Sequence, residues 1–165
     1  MAGAAREVEV HISVPRQQLD LYGGDALVRR YAVSTALHGV GESHGSGCTP
    51  RGLHRVRAKV GAGCAAATVF VGRRPTGELY SPELAAQHPG RDWILCRILW
   101  LTGCEPGFNR GGAVDTLRRF IYIHGCPDGT PLGMPASHGC VRMANADVMD
   151  LFGRVAVGTP VHIAA

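Results

Sequence analysis

One tripeptide, histidine–glycine–cysteine, occurs twice in this 165-residue sequence, at residues 124–126 and again at residues 138–140. A cysteine attacks an acyl carbon as its thiolate, and a neighbouring histidine is well suited to take the thiol proton. The intervening glycine lets the backbone turn tightly and approach a bound carbonyl group closely. The repeat therefore predicts either a cysteine nucleophile for acyl transfer or, as a second interpretation, a metal site.

The second copy is better suited to catalysis than the first. It lies in the sequence Ser-His-Gly-Cys-Val-Arg at 137–142, where the amides of Gly139 and Cys140 can point at a developing oxyanion. His124 ends a predicted strand, and a base is well positioned on such a rigid element. His138, two residues before Cys140, would lie on the same face of an extended chain, so the residues alone favour Cys140 as a nucleophile and leave both His124 and His138 as possible partners. Cys126, whose histidine follows no serine, is interpreted as a small buried residue.

The metal interpretation uses both copies together. Two histidines and two cysteines make a set that zinc accepts, namely His124, Cys126, His138 and Cys140. However, the H-x-C spacing is not a usual zinc-finger spacing, and a structural zinc site needs no serine and arginine around its ligands. The sequence therefore favours no metal and no cofactor. The four other cysteines form no C-x-x-C pair and are interpreted as buried apolar residues: Cys48, Cys64, Cys96 and Cys104.

Composition limits the other classes of function. The chain is 45% hydrophobic and 18% charged, which is typical of one globular domain covering residues 1–165. Its net charge of +4 comes mostly from scattered arginines, without a run of like charge or interleaved aromatic residues, so no nucleic-acid surface is expected. The longest apolar stretch, 93–101, is interrupted by Arg97 and is too short to cross a membrane.

The cellular location is predicted from the first residues and the cysteines. The segment 1–7 has no apolar run after a basic start, so the sequence as given shows no secretory signal. Cysteines without a small disulfide scaffold are typical of a reducing compartment. The expectation is a cytoplasmic protein, with a periplasmic one as the alternative if a signal peptide has been trimmed.

The pattern of apolar residues predicts a mostly β domain with one good helix. The 23 glycines and 10 prolines favour many turns and short strands. Alternation predicts strands over 8–14, 18–22 and 120–124, and 27–33 is predicted to complete a β-hairpin with 18–22. Further strands are predicted over 53–60, 67–71 and 160–163. The run 93–101 is either a strand or a short helix. A helix is predicted over 145–155 with Asn145 as its N-cap, and 72–92 is predicted to be irregular with one helical turn near 83–87.

The strand histidine followed by the second tripeptide resembles a known catalytic signature. Residues 123–125 and 137–143 resemble the signature of the L,D-transpeptidase (YkuD-like) catalytic domain. That signature consists of a histidine on a strand, a loop, and the sequence S/T-H-G-C-[IV]-R. Two weaker elements fit the same family, Q-x-L-x-L-Y at 17–22 and T-P-x-G at 49–52. The resemblance covers the chain from about residue 8 to residue 163.

The resemblance implies a fold and a set of roles. The fold would be mostly β (α+β), a β-sandwich with a C-terminal helix. Cys140 would be the nucleophile, and His124 the base, oriented by the backbone carbonyl of Gly125. His138 and Gly139 would frame the oxyanion site. In addition, Ser137 would support this geometry, and Arg142 would either hold the motif loop or meet a substrate carboxylate.

The resemblance also implies a substrate, the stem peptide of peptidoglycan or a muropeptide derived from it. The enzyme would cut the bond between the diamino acid and D-alanine through a thioester. Segments 105–109 and 114–116 resemble short members that use water as acceptor. We therefore expect an L,D-carboxypeptidase of murein recycling, with an L,D-transpeptidase that cross-links or exchanges D-amino acids as the alternative. A zinc-structural or binding module without catalysis is the third hypothesis.

Overall fold

The computed structural model describes residues 7–165, so the predicted absence of a signal in the first residues lies almost wholly outside it. Within the described range the chain forms ten strands and two α-helices. The strands are β1 (Val8–Ser13), β2 (Gln18–Gly23), β3 (Ala26–Ser34), β4 (Gly52–Val60), β5 (Thr68–Val71), β6 (Arg74–Leu79), β7 (Ile94–Gly103), β8 (Tyr122–Cys126), β9 (Val141–Ala144) and β10 (Pro160–Ala164). The helices are α1 (Pro82–Gln87) and α2 (Asn145–Arg154), and a short 3₁₀ turn covers Gly112–Val114.

Eight of the strands close into a barrel, and the predicted β-sandwich is wrong in this respect. The hydrogen-bonded order is β4, β10, β1, β2, β3, β9, β8, β7, and β7 pairs back with β4. The pairs β1–β10 and β8–β9 are parallel, and the other pairs are antiparallel. Closure pairs both sides of each of these strands, which leaves no open edge within the ring. Strand alternation in the sequence is the same in a sandwich and a barrel, so it did not distinguish them.

The predicted alternation places the apolar face of the strands in the core. In β1 and β2 the buried apolar side chains are Val10, Ile12, Leu19 and Leu21, each at most 1% exposed. The helix α2 buries Val148 and Leu151 and packs against β7, β8 and β9. The mostly β class and the helix near the C-terminus are therefore confirmed. No helix of residues 7–165 is long and apolar enough to cross a membrane.

The start of α2 differs from its prediction. Asn145 is the first helical residue, while Ala144 occupies the N-cap position and offers no side-chain hydrogen bond. The reason is that β9 ends at Ala144 and runs into the helix without a loop. The Asn145 Oδ1 atom is instead buried, without a hydrogen-bond partner among the described residues.

The segment 72–92 is more regular than predicted. It contains β6, which pairs antiparallel with β5 through a two-residue turn, and α1, whose N-cap Ser81 accepts a hydrogen bond from the Leu84 amide at 3.0 Å. Pro75 is tolerated because β6 pairs on one side only, at the edge of the sheet. The apolar run 93–101, left open between strand and helix, belongs to β7.

Candidate active site

Cys140 ends a tightly hydrogen-bonded turn directly before β9. The Ser137 hydroxyl donates to the Cys140 carbonyl at 2.5 Å and accepts from the Gly139 amide at 3.2 Å. Thr49 Oγ1 donates to the Gly139 carbonyl at 2.9 Å. Gly139 has φ = 136°, a conformation that side chains other than glycine rarely adopt. The short motif therefore holds Cys140 through its backbone.

The Cys140 thiol contacts two backbone groups of the segment that leads into β8. Its Sγ accepts a hydrogen bond from the Tyr122 amide at 3.3 Å and donates to the Phe120 carbonyl at 3.4 Å. Burial raises the pKa of the Cys140 thiol to about 12, although the Tyr122 amide opposes this shift. The side chain is accordingly a neutral thiol in the resting protein at pH 7.

His124 lies in β8 and is buried. Its Nδ1 is 2.7 Å from the Gly125 carbonyl oxygen. A ring nitrogen that faces a carbonyl must carry the proton, so the neutral ring keeps its lone pair on Nε2. Burial lowers the pKa of His124 below its usual 6.5, which favours this neutral form.

Both side chains line one cleft with a volume of about 420 Å³, which we call the Cys140 cleft. The parallel pairing of β8 with β9 brings them together, because His124 is in register with Arg142, two residues after the cysteine. The cleft is lined by Gly72, Arg73, Asp92, Ile94, Arg119, Phe120, Ile121, Tyr122, His124, Ser137, His138, Cys140 and Arg142. Five of the seven residues predicted from the motifs line this cleft. The other two, Gly125 and Gly139, are absent from the lining and adjoin it through the backbone beside His124 and Cys140.

Arg142 and His138 share one carboxylate at the cleft. Arg142 donates from Nη2 to Asp92 Oδ1 at 3.0 Å and from Nη1 to the Ala136 carbonyl at 3.2 Å. His138 Nδ1 lies 3.5 Å from Asp92 Oδ2, and its side chain is 75% exposed. Arg142 therefore ties the motif loop to the segment before β7, whereas His138 faces solvent at the rim.

Several contributors to the site carried no recognisable sequence signal. Arg119 Nη2 donates to the Cys48 carbonyl at 2.6 Å and to Ser46 Oγ at 3.3 Å, and its Nη1 donates to the Gly41 carbonyl at 3.1 Å, which fixes the 41–48 loop beside the cleft. The Tyr122 contribution is a backbone amide, which any residue except proline supplies. Only Thr49 stood in a recognised element, the T-P-x-G turn, and that element suggested no contact with Gly139.

The side chains that the two histidine–glycine–cysteine copies would offer to a metal are not grouped together in the structure. Residues 7–165 contain no group of three or more His, Cys, Asp or Glu side chains placed to hold a metal ion. Cys126 is buried, and its Sγ donates to the Met143 carbonyl at 3.2 Å. All six cysteines are free thiols. Cys96 is buried as predicted, but the prediction is wrong for three others, which are only half-buried: Cys48, Cys64 and Cys104.

Solved structures of L,D-transpeptidases share this fold. One from Mycobacterium smegmatis superposes with a TM-score of 0.60 at 17% identity, over 96% of this chain and 59% of that chain. Another, from Xylanimonas cellulosilytica, has a TM-score of 0.56 at 20% identity, over 98% of this chain and 62% of that chain. The chain thus spans less than two thirds of the length of these relatives, and at such identities the likeness concerns the fold.

Sequence comparison leads to the same family. A stretch of 44 residues is 46% identical to a protein described as a probable L,D-transpeptidase, YbiS of Escherichia coli K12, and covers 27% of this chain and 14% of that protein. The family model YkuD, described as the L,D-transpeptidase catalytic domain, matches residues 7–163. Since that match runs through almost the entire chain, this protein belongs to the YkuD family of L,D-transpeptidase catalytic domains.

Proposed function

We propose that this protein is a cysteine acyl-transfer enzyme of peptidoglycan stem peptides, and that water is its principal acceptor. It would then be an L,D-carboxypeptidase that converts tetrapeptides into tripeptides. The observation that carries the proposal is the Cys140 thiol in one cleft with His124, whose Nδ1 is held by the Gly125 carbonyl so that Nε2 is free to accept a proton.

The first half-reaction forms a thioester. His124 Nε2 takes the thiol proton as Cys140 Sγ attacks the carbonyl carbon between the diamino acid and D-alanine. The Cys140 amide is our candidate donor to the oxyanion, because the Gly139 amide is already held by Ser137. The imidazolium then gives its proton to the D-alanine nitrogen, the C–N bond breaks, and D-alanine leaves.

The second half-reaction reverses these roles. Water attacks the thioester carbon while His124 Nε2 accepts its proton, and Sγ leaves and is reprotonated by the same ring. The product is the tripeptide with a new carboxylate. If an amine takes the place of water, the same step yields a cross-link or an exchanged D-amino acid.

The two pKa shifts describe the enzyme before substrate binds. A raised thiol pKa and a lowered imidazole pKa both oppose the thiolate–imidazolium pair. Proton transfer is therefore coupled to attack on a bound substrate instead of preceding it. Such a site slows oxidation and alkylation of Cys140, since the thiolate is the reactive form.

The charge of the cleft supports water over an amine. Three arginines line it, namely Arg73, Arg119 and Arg142, against the single carboxylate of Asp92. A positive surrounding favours a soluble peptide with a free carboxylate and disfavours the approach of a protonated amine. Water carries no such charge.

The alternative function, an L,D-transpeptidase, is supported by the similar proteins, which are described as L,D-transpeptidases. L,D-transpeptidase 3 of Mycobacterium tuberculosis, which has this fold at 17% identity, has been solved in complex with a faropenem-derived adduct. A cross-linking function would place the protein at the cell wall, whereas muropeptide trimming agrees with the predicted cytoplasmic location. Cell fractionation tests that location independently.

Mass spectrometry of a free tetrapeptide ending in diamino acid and D-alanine tests the proposal. We expect the wild type to release one D-alanine, the Cys140→Ala variant to release none, and the Cys126→Ala control to remain active. The same incubation with an added D-amino acid or amine separates the acceptors. A predominance of cross-linked or exchanged product would favour the transpeptidase, and zinc that survives dialysis at one ion per chain would argue for the metal-site hypothesis.

A further inference from the structure

One arginine of the Cys140 cleft is held by aromatic rings. The Arg73 guanidinium carbon lies 4.3 Å from the ring centroid of Trp100 and 5.0 Å from that of Phe120. Its Nη1 donates to the Tyr122 hydroxyl at 3.0 Å. We call these four residues the Arg73 arch. The rings attract the faces of the guanidinium by cation–π interaction, which orients it without using the N–H groups at its edge.

The backbone at Arg73 is strained. Gly72 and Arg73 form the turn between β5 and β6, with φ values of 56° and 64°, and Val71 pairs with Arg74 across it. Two-residue turns with positive φ at both positions favour glycine and asparagine. An arginine in the second position is disfavoured by its Cβ. Strain of this kind concentrates at functional sites, and here it directs a long cationic side chain over the cleft.

The three arginines of the cleft differ in how far their donors are used. Arg142 is paired with Asp92 and holds a backbone carbonyl. Arg119 donates to three acceptors in the 41–48 loop. Within residues 7–165, Arg73 meets no carboxylate and donates only to the neutral Tyr122 hydroxyl. Arg73 is therefore the cleft arginine with edge donors free for a ligand.

We propose that Arg73 is a specificity-determining residue that binds the C-terminal carboxylate of the peptide substrate, an inference that rests on the proposed function. Tyr122 connects the two ends of the reaction, because its amide contacts Cys140 Sγ at 3.3 Å and its hydroxyl contacts Arg73. In a C-terminal D-alanine, the carboxyl carbon lies roughly 3–4 Å from the scissile carbonyl carbon. A substrate attacked by Cys140 therefore presents its terminal carboxylate close to the wall that carries Arg73.

The test compares two tetrapeptides that differ only at the terminus, one with a free D-alanine carboxylate and one with D-alanine amide. For each protein we take the ratio of kcat/KM for the acid to kcat/KM for the amide. Dividing the ratio of a variant by that of the wild type removes the intrinsic difference between the two leaving groups. We expect Arg73→Gln to lower kcat/KM for the acid by about tenfold to a hundredfold, as for a lost charge-assisted hydrogen bond, and to leave the amide nearly unchanged. Arg73→Lys should restore part of the preference.

Arg74 provides the matched control. It follows Arg73 directly, carries the same charge and is exposed. Arg74→Gln should leave both kcat/KM values unchanged. An acid-to-amide ratio that is the same in Arg73→Gln and the wild type would overturn the proposal. So would a loss that follows amidation of a second carboxylate on the diamino acid instead of the terminal one.

A second measurement does not depend on turnover. Iodoacetate and iodoacetamide both alkylate a thiolate with loss of iodide, but only iodoacetate carries a carboxylate. Peptide mass spectrometry gives the rate at which each reagent alkylates Cys140. We expect the ratio of the iodoacetate rate to the iodoacetamide rate to fall in Arg73→Gln and to stay unchanged in Arg74→Gln. An unchanged iodoacetamide rate shows that the site is intact. If the wild type cleaves no tetrapeptide, the proposed function fails, and an unchanged alkylation ratio would refute the role of Arg73 separately.

Discussion

The two histidine–glycine–cysteine copies have the same residues and opposite environments. The copy at 124–126 lies within β8 and is buried throughout. The copy at 138–140 forms a turn with an exposed histidine, a glycine at φ = 136° and a cysteine that lines the cleft. His124 is held by a carbonyl through Nδ1, whereas His138 faces a carboxylate at the rim.

The difference teaches that the chemistry is divided between the copies. The strand copy contributes a rigid, neutral histidine, because burial and one hydrogen bond fix its tautomer. The turn copy contributes the thiol, because a turn presents its side chain to the cleft while Ser137 and Thr49 hold its backbone. Each remaining partner, Cys126 and His138, is left without a place in the proposed reaction.

The largest expected difference between the copies concerns the two cysteines. Cys140→Ala should lower turnover by roughly 10⁴-fold or more, because no other group can form the thioester. Cys126→Ala should retain more than half of the activity and lower the free energy of unfolding by about 1 kcal/mol, as a small buried residue does. Tetrapeptide kinetics and thermal unfolding measure both. Equal losses in the two variants would contradict the division.

The second largest expected difference is between the losses of activity caused by replacing the two histidines. His124→Asn removes the proton acceptor and should lower kcat by about 10²–10⁴-fold. His138→Asn removes an exposed ring that lies 3.5 Å from Asp92, and we expect kcat to fall by less than about tenfold. Steady-state kinetics of both variants decide this. A larger loss in the His138 variant would make it the base and reverse our assignment.

The two glycines should separate stability from activity. A Cβ on Gly125 would lie 2.7 Å from the Leu95 carbonyl oxygen and overlap Asn145 Oδ1, so Gly125→Ala should destabilise the fold by about 1–3 kcal/mol. A Cβ on Gly139 would meet only Ile121 at 3.3 Å and Cys48 at 3.4 Å, but the positive φ is strained. Gly139→Ala should therefore lose about tenfold in activity with a smaller shift in the unfolding temperature.

The smallest expected effect is on the pH profile. The folded pKa of His124 lies below 6.5, so the active neutral form persists at mildly acidic pH and is lost as pH falls through the lowered pKa. At pH 6.5, kcat/KM should retain more than half of its plateau, whereas a base with pKa 6.5 retains half. His138→Asn should leave this acidic limb in place. The lowered pKa also makes folding stability depend on pH. The free energy of unfolding is unaffected by His124 above pH 6.5 and decreases as the pH falls from 6.5 towards the lowered pKa.

Much of the barrel was predictable because half-buried strands alternate in the sequence. The segments 8–14 and 18–22 were predicted for this reason, and each matches an observed strand to within one residue at either end. The strands β6 and β9 were missed, since one contains Pro75 and the other is four residues long. Closure was missed as well, because it depends on pairing between β4 and β7, which are far apart in the chain.

The sequence by itself determined the reactive groups and the turn that presents them. Serine, glycine and cysteine at 137, 139 and 140 define that turn through local hydrogen bonds, which is why the motif could be recognised. Only the tertiary structure decided that His124 is buried beside the cleft while His138 lies exposed at its rim, and that Arg73 overhangs it. The position of His124 beside Cys140 comes from the parallel pairing of β8 with β9, and that of Arg73 from packing against the ring of Trp100 on a distant strand. The groups that make these contacts have no fixed spacing in the chain, so the sequence alone does not reveal them.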